Sequence, residues 1–315
     1  MGTGHPAGFE GASMQLGMIG LGKMGGNMAR RLRRAGMEIV GFNQDTDATE
    51  ALAAEEGLVA ASSAEDLVAR LDSPRLVWLM LPAGDVTENY VQQMADLLDE
   101  GDVLIDGANS YFKDSMRRAE VLAERGIRFV DAGVSGGVWG LDNGYAMMVG
   151  GADDAFAAVQ PIIEALAPAR DRGWVHTGPA GSGHYVKMIH NGIEYGMMQA
   201  FAEGFALMKG REDFNLDLGD IAESWRHGSV VRSWLLDLSA EVLADDADLS
   251  GIEPFVADSG EGRWTALEGI EQGIPTPVMS LALMARFATQ GQQDYSAKLL
   301  AMMRNAFGGH AVKAN

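Results

Sequence analysis

The first half of the chain alternates short apolar runs with longer amphipathic segments. Short apolar runs bounded by glycine, proline or acidic residues predict buried strands, and the longer segments predict helices. The predicted strands are residues 15–20, 37–42, 76–81, 103–106, 127–131, 145–149 and 173–178. The helices predicted between them are residues 27–35, 48–56, 86–98, 113–125 and 153–166. This alternation predicts a doubly wound parallel sheet, an α/β fold of the Rossmann type.

After residue 178 the pattern changes to helices alone. The segment G-P-A-G-S-G at residues 178–183 interrupts the alternation, and no convincing strand follows it. Helices are predicted at residues 185–209, 221–225, 233–243, 264–272, 277–288 and 296–305, and their many methionines are predicted to pack in the core. We therefore expect a disordered extension at residues 1–13, a dinucleotide-binding domain at 14–178 and an all-α domain at 179–315.

A glycine motif lies between the first predicted strand and the first predicted helix. Gly20, Gly22 and Gly25 have the G-x-G-x-x-G spacing that, between a strand and a helix, is typical of dinucleotide binding. The glycines allow a tight turn and close approach of the pyrophosphate, which the helix N-terminus attracts. The predicted cofactor-binding residues here are Gly20, Leu21, Gly22, Lys23, Met24 and Gly25.

The end of the second predicted strand indicates which dinucleotide is bound. Asn43 stands where an acid is expected, and Gln44 and Asp45 follow it. No lysine or arginine stands there to meet a 2′-phosphate, which Asp45 would repel. The sequence therefore predicts NAD as the preferred cofactor, with NADP possible. The four arginines at positions 30, 31, 33 and 34 are predicted on the solvent face of the first helix.

Ligands of such folds bind at the carboxyl ends of parallel strands. The next strand ends fall at Leu81-Pro82, at Asn109-Ser110 and at Ser135-Gly136-Gly137. We therefore add Leu81, Pro82, Ala83 and Asn109 to the cofactor-binding residues.

The stretch G-H-Y-V-K-M-I-H-N-G-I-E-Y at residues 183–195 has a polar stripe at helical spacing. Lys187, His190, Asn191 and Glu194 stand at i, i+3, i+4 and i+7, so they share one helix face over two turns, roughly 10 Å. An ordinary surface stripe is the simpler interpretation. The His-Asn pair, and a glycine at position 192 that costs helix stability, favour a functional site.

Composition excludes several classes of function. The net charge of −20 disfavours nucleic acid as a partner. Cysteine is absent, which excludes disulfides and thiolate chemistry, and the six scattered histidines do not suggest a metal site. There is no run of the ~18 apolar residues that a membrane helix needs. Residues 1–13 do not resemble a secretory signal, so a cytoplasmic location is expected.

Six motifs together resemble the 6-phosphogluconate dehydrogenase family, within the β-hydroxyacid dehydrogenase superfamily. They are G-L-G-K-M-G-G-N at 20–27, D-G-A-N-S at 106–110, F-V-D-A-G-V-S-G-G at 129–137, K-M-I-H-N-G-I-E-Y at 187–195, G-R-W-T at 262–265 and R-N-A-F-G-G-H at 304–310. The resemblance covers residues 15–313 and fits the short form of the family. It implies oxidative decarboxylation of 6-phosphogluconate to ribulose 5-phosphate and CO2 with reduction of NAD, and no metal.

The resemblance also implies roles for individual residues. Lys187 resembles the general base that takes the C3 hydroxyl proton, and Glu194 resembles the acid that protonates C1 of the enediol. The implied contacts to the substrate carboxylate and hydroxyls are Asn109, Ser135, Gly136, Gly137, His190 and Asn191. The implied phosphate end comprises Tyr195, Ser259, Arg286, Arg304 and His310. Ser259 stands where the family often has a lysine, and Glu261 adds a negative charge.

The family's terminal segment reaches into a partner's active site. The resemblance therefore implies a homodimer or a dimer of dimers, in which the helical domain binds substrate and dimerises and the C-terminal tail completes a partner's site. Two alternatives stay open: a NAD-dependent dehydrogenase of another β-hydroxy acid in the same superfamily, and a non-catalytic dinucleotide-binding sensor. The presence of both Lys187 and Glu194 weighs against a sensor.

Overall fold

The computed structural model describes residues 14–291, 294–308 and 311–313. The extension predicted at residues 1–13 and the predicted phosphate contact His310 lie outside the described residues. The chain divides into two compact units, the first ending at Met188 and the second beginning at Ile189. None of the described helices is long and apolar enough to cross a membrane.

The first unit is built on an eight-stranded sheet. Its strands are β1 (Gln15–Ile19), β2 (Glu38–Phe42), β3 (Val59–Ala60), β4 (Leu76–Leu79), β5 (Val103–Asp106), β6 (Arg128–Ser135), β7 (Ala146–Gly151) and β8 (Trp174–Gly178). Their order is β3-β2-β1-β4-β5-β6-β7-β8. The first six strands follow the Rossmann order, so the predicted fold class is confirmed.

The last two strands, β7 and β8, run against the predicted direction. β7 pairs antiparallel with β6, from Val130 opposite Gly151 to Ser135 opposite Ala146, and β8 is parallel to β7. The ten residues between β6 and β7 are fewer than the dozen or more that a parallel crossover requires. The prediction of a wholly parallel sheet was therefore wrong at this edge.

Helices cover both faces of this sheet. They are α1 (Lys23–Arg34), α2 (Thr46–Glu56), α3 (Ala64–Ala69), α4 (Asp85–Leu97), α5 (Phe112–Ala123), α6 (Gly140–Asn143) and α7 (Asp153–Leu166), with a 3-10 turn at Gly137–Trp139. Alternate side chains of a strand pack into two different apolar clusters. In β4, Leu76 and Trp78 pack in one cluster and Val77 and Leu79 in the other. Buried strands that are apolar on both faces produce the continuous apolar runs seen in the sequence.

Among the described residues of the second unit, all regular secondary structure is helical. It contains most of α8 (Ser182–Lys209), which starts in the first unit, and then α9 (Leu218–Arg226), α10 (Trp234–Asp245), α11 (Glu261–Gln272), α12 (Pro277–Thr289) and α13 (Asp294–Gly308). Its apolar clusters are small, one around Phe205 and Leu236 and one around Tyr195 and Leu283. The prediction of a methionine core was wrong for Met197, Met198, Met284, Met302 and Met303, which are between 39% and 54% exposed.

Candidate active site

The glycine turn after β1 fits a dinucleotide. Gly20 has φ +92°, and a Cβ there would lie 2.3 Å from the carbonyl oxygen of Met80. A Cβ on Gly25 would lie 2.0 Å from the carbonyl oxygen of Gly20, so α1 approaches the turn too closely for a side chain. By contrast, nothing lies within 4 Å of a Cβ built on Gly22, the N-cap residue. That open space, beside a helix N-terminus with no side-chain cap, suits a pyrophosphate.

Helix α1 begins at Lys23, four residues earlier than predicted. Lys23 and Met24 therefore belong to its first turn, where Lys23 is exposed and Met24 packs partly against the core. After β4, Leu81 lies beside the same turn, because a Cβ on Gly20 would come within 2.9 Å of its side chain. Pro82 and Ala83 follow and are exposed.

The end of β2 lies against this turn. The backbone N–H of Leu21 donates to Asn43 Oδ1 at 3.2 Å. Gln44 is exposed, and the Asp45 side chain caps α2 by accepting from the N–H of Ala48 at 3.3 Å. Asn43 therefore contacts the loop that would hold the pyrophosphate.

Arg31 faces the protein rather than solvent, contrary to prediction. Its guanidinium donates to the carbonyl oxygens of Ala165 at 3.1 Å, Leu141 at 3.0 Å and Ala167 at 2.7 Å. Burial lowers the pKa of Arg31. This arginine therefore holds α1 against α6 and the C-terminal end of α7.

The other three arginines of α1 also have partners. Arg30 pairs with Glu55 at 2.6 Å and Arg34 with Glu56 at 2.5 Å, and hydrogen bonds to these carboxylates raise the pKa of both arginines. Arg33 donates to the carbonyl oxygen of Met37 at 2.7 Å, among others. Only Arg34 lies on the solvent face as predicted.

The loop after β5 is held by a buried ion pair. Asp106 Oδ2 accepts from Arg118 Nη1 at 2.7 Å and from Ser110 Oγ at 2.9 Å, and both partners in the ion pair are almost fully buried. Arg118 also donates to Glu88 at 2.9 Å. Sequence reasoning missed Arg118, because nothing in its helical segment indicates a partner in the preceding loop.

Asn109 is fixed by this loop and by β6. It has φ +52°, and its amide bonds both backbone groups of Val134, accepting from the N–H at 2.8 Å and donating to the oxygen at 3.1 Å. Ser135 ends β6, and Gly136 and Gly137 follow at φ +140° and +54°. The structure thus brings Asn109 next to the predicted Ser-Gly-Gly turn.

Asp131 caps α8. Its two carboxylate oxygens accept from the backbone N–H of Gly181 and of His184, both at 2.7 Å, and the residue is fully buried. A carboxylate is stabilised at the positive end of a helix. The sequence signal was an acid inside the apolar strand pattern F-V-D-A-G, and it was not recognised as a helix cap.

Lys187 is buried against β6. A Cβ on Gly133 would lie 2.4 Å from Lys187 Cβ, so only glycine at that strand position lets α8 approach. Lys187 is 5% exposed. Lysines are almost never buried to this extent unless they are paired, and this burial sets Lys187 apart from an ordinary surface stripe.

In the second unit the next turns of α8 carry three polar residues in mutual contact. His190 Nδ1 lies 2.9 Å from Asn191 Oδ1 and 3.9 Å from Glu194 Oε2. His190 and Glu194 are each a little over one-third exposed. The structure therefore brings His190 together with Asn191 and Glu194, as their positions at i+3, i+4 and i+7 from Lys187 predict.

Three of the predicted phosphate contacts also lie together. Tyr195 OH is 3.0 Å from Ser259 Oγ, and the Arg286 guanidinium carbon lies 3.4 Å from the centre of the Tyr195 ring. Arg304 lies on α13 with an exposed side chain. Arg263 is turned to Asp258 and stacks on Phe287, 4.4 Å from the ring centre.

Glu261 joins these two groups. It is 8% exposed, and its Oε2 accepts from Asn191 Nδ2 and from Ser259 Oγ, the latter at 3.2 Å. Sequence reasoning treated Glu261 only as added negative charge, because the 70 positions between it and Asn191 hide the contact. The described residues contain no group of three or more acids and histidines that could hold a metal ion.

Comparison with known proteins gives one consistent family. The profile of the NAD binding domain of 6-phosphogluconate dehydrogenase matches residues 15–178, and that of the 6-phosphogluconate dehydrogenase C-terminal domain matches residues 183–315. An NAD(+)-dependent, decarboxylating 6-phosphogluconate dehydrogenase of Haloferax volcanii is 42% identical over 95% of this chain and 98% of its own length. The decarboxylating enzyme of Synechococcus elongatus is 39% identical over 87% of this chain but only 61% of its own.

Solved structures agree with the sequence comparison. Plasmodium falciparum 6-phosphogluconate dehydrogenase, studied without ligand, with NADP+ and with 6-phosphogluconate, has a TM-score of 0.80 and 31% identity, covering 96% of this chain and 66% of that chain. Mycobacterium tuberculosis 3-hydroxyisobutyrate dehydrogenase, at 24% identity over 90% of this chain and 94% of its own, shares the fold with a TM-score of 0.70. The resemblance predicted from the motifs is confirmed, and the near-complete overlap with the Haloferax protein fits the short form. The chain belongs to the 6-phosphogluconate dehydrogenase family.

Proposed function

We propose that the protein catalyses the NAD-dependent oxidative decarboxylation of 6-phosphogluconate to ribulose 5-phosphate and CO2. The observation that carries this proposal is the pair Lys187 and Glu194 on α8, with Lys187 buried against β6 and Glu194 beside His190. Family membership supports the reaction, since relatives that match nearly all of this chain bear the name of this decarboxylating dehydrogenase.

Lys187 acts as the general base. It takes the proton of the C3 hydroxyl, and NAD, when bound at the glycine turn, supplies the acceptor for the hydride from C3. The protonated lysine then polarises the C3 carbonyl oxygen while CO2 leaves. One amine can serve both steps, neutral as the base and protonated as the acid, because it stays beside the same oxygen.

Glu194 acts as the general acid. It protonates C1 of the enediol, which is the carbon that has lost CO2. Seven residues of helix separate the Cα atoms of Lys187 and Glu194 by about 10 Å along the axis, so the two side chains can approach one short carbon unit from its two ends. Neither residue can replace the other, because one acts at an oxygen and the other at a carbon.

We assign the rest of the substrate to the polar groups that the family resemblance implies. We assign its carboxylate and hydroxyls to Asn109, Ser135, Gly136, Gly137, His190 and Asn191. We assign its phosphate to Tyr195, Ser259, Arg286, Arg304 and His310. Arginine forks suit a phosphate, and the contact of Arg286 with Tyr195 supports this grouping.

The cofactor site comprises Gly20, Leu21, Gly22, Lys23, Met24, Gly25, Asn43, Gln44, Asp45, Leu81, Pro82, Ala83 and Asn109. NAD is proposed over NADP because the β2 end offers Asn43, Gln44 and Asp45 and no cation. The arginines of α1, which could have met a 2′-phosphate, have carboxylate or carbonyl partners instead. With neutral or acidic side chains there, no cation would balance the negative charge of a 2′-phosphate.

The proposed assembly is a homodimer or a dimer of dimers in the cytoplasm, with the tail that carries Arg304 and His310 completing a partner's site. In the second unit an apolar groove of ≈ 540 Å³ is lined by Phe201, Leu235 and their neighbours. Ile270 and Leu281 are exposed as well. An exposed apolar groove is typical of surfaces that bind another protein, and it supports an assembly through the second unit. Light scattering tests this, and a fully active monomer would refute it.

The experiment is a matrix of two substrates and two cofactors. We expect NAD to be reduced with 6-phosphogluconate much faster than with gluconate, and NAD to be favoured over NADP. K187M and E194Q are each expected to lose about 10²–10⁴-fold in kcat. K209M and E203Q remove the same groups from exposed positions of the same helix and should keep wild-type rates.

One observation favours a second candidate, the oxidation of another, unphosphorylated β-hydroxy acid. Ser259 and the buried carboxylate of Glu261 lie among the proposed phosphate contacts, where a lysine would have suited a dianion better. Equal or faster turnover of gluconate than of 6-phosphogluconate would support this candidate against the first.

A further inference from the structure

Glu261 is a buried carboxylate that hydrogen-bonds the residues around it. It is the first residue of α11, where the helix dipole favours a negative charge. Its Oε2 accepts from Asn191 Nδ2 and from Ser259 Oγ, and among the described residues its buried Oε1 has no partner. Burying a carboxylate is costly unless donors meet it, so its position calls for a role.

The chemistry of the carboxylate dictates how Asn191 is turned. An ionised carboxylate can only accept hydrogen bonds, so Asn191 must direct its NH2 group to Glu261. The amide oxygen of Asn191 is then the atom that faces His190, 2.9 Å from Nδ1. An amide oxygen also only accepts, so the proton of the neutral imidazole lies on Nδ1.

We propose that Glu261 is a positioning residue that, through Asn191, fixes the tautomer of His190. The Nδ1–H donates to the amide oxygen of Asn191 and lies on the side of the ring near Glu194, whose Oε2 is 3.9 Å from Nδ1. Nε2 is left as an acceptor, which suits a substrate hydroxyl and not a carbonyl. This inference rests on the proposed function for its consequence, because there His190 contacts a polyhydroxy acid.

The same network explains the residue beside Glu261. Ser259 donates to Glu261 Oε2 at 3.2 Å, and its Oγ lies 3.0 Å from Tyr195 OH. A hydroxyl can donate on one side and accept on the other, so Ser259 Oγ can accept from Tyr195 OH, which also lies 3.3 Å from Asp258 Oδ1. The loop at 259–261 therefore orients neutral groups at a place where the family often carries a cation.

The test is to observe the His190 ring by NMR of protein with ¹⁵N-labelled imidazoles, at a pH where the ring is neutral. H190Q assigns the signal. We expect the proton on Nδ1 in the wild type and in E268A, which removes a partly exposed carboxylate from the same helix. In E261A the NH2 group of Asn191 loses its carboxylate acceptor, and we expect the proton to move to Nε2.

Kinetics provide a second readout. E261A should lose roughly 10–100-fold in kcat/KM for 6-phosphogluconate, the effect of one lost charge-assisted hydrogen bond, with the KM for NAD unchanged. E261Q should recover part of the loss, because the glutamine oxygen can still accept from Asn191. E268A should match the wild type.

Two results would overturn the proposal: a proton on Nε2 in the wild type, or an unchanged Nδ1–H tautomer in folded E261A. If E261A does not fold, the wild type and E261Q still test the proposal. We expect Nδ1–H in the wild type and a mixture of the Nδ1–H and Nε2–H tautomers of His190 in E261Q. If the wild type does not turn over 6-phosphogluconate, the proposed function fails, while the tautomer measurement still decides this inference on its own.

Discussion

Replacing Asp131 by alanine tests whether the start of α8 positions Lys187, the proposed general base. The carboxylate is fully buried and accepts two backbone hydrogen bonds at 2.7 Å, from Gly181 and His184. A hydrogen bond to a charged group contributes about 1.5–3 kcal/mol, and the two bonds share one residue. We therefore expect D131A to lower the free energy of unfolding by about 3–5 kcal/mol.

D131N should lose only one of the two hydrogen bonds. Its single carbonyl oxygen can accept one N–H, but its NH2 group would face the other, so a loss of about 1.5–3 kcal/mol is expected. D153A is the matched control. It removes a fully exposed acid from the first turn of α7 and should stay within about 0.5 kcal/mol of the wild type.

Activity should change with stability in D131A but not in D153A. Lys187 lies less than one helical turn beyond His184, so displacement of the α8 start by an ångström would lower kcat by about 10²-fold. The dissociation constant for NAD should not change, because the glycine turn lies on other strands. The assays are urea denaturation followed by circular dichroism, steady-state kinetics and NAD titration. A D131A protein with the stability and kcat of D153A would refute the reasoning.

Three further predictions concern the first unit. R118M leaves a buried carboxylate uncompensated and should cost about 3–5 kcal/mol of unfolding free energy in denaturation assays, whereas R117M, at an arginine 51% exposed, should cost about 0–1 kcal/mol. Hydrogen bonding to Arg117 lowers the pKa of Glu88 to about 2. The contribution of Glu88 to the free energy of unfolding is therefore complete above its unfolded pKa of about 4.5 and is lost as pH falls towards 2. In E88Q, acid titration of the stability should not show this loss. G22A should weaken NAD binding without loss of thermal stability, whereas G25A should lower stability.

The βαβ start of the fold was predictable because its signals are local. Apolar runs and glycine spacing defined β1, β2 and the cofactor turn. The start of α1 was misplaced because Gly25 and Gly26 are poor helix formers that are required there by close packing. β3 has two residues and α3 has six, too short for a periodic pattern. The direction of β7 depended on the length of a connection rather than on the strand itself.

The site was predictable where its residues share one helix, and not where they join distant segments. The shared helix face of Lys187, His190 and Glu194 follows from helical spacing, and their proposed roles follow from the family motifs. The anchor of α8 by Asp131 and the contact of Glu261 with Asn191 join residues more than fifty positions apart. Periodicity carries no information about such pairs, and only the folded chain reveals them.

Oxidative decarboxylation is tested by one measurement with wild-type protein, 6-phosphogluconate and NAD. Reduced nicotinamide is followed by its absorbance, and the CO2 released in the same reaction is trapped and counted. We expect equimolar CO2 and NADH, because each oxidation of C3 is followed by loss of one CO2. NADH formed without CO2 would contradict it and would indicate a simple β-hydroxy acid dehydrogenase, and formation of neither product would contradict the assignment of Lys187 and Glu194 as its catalytic pair.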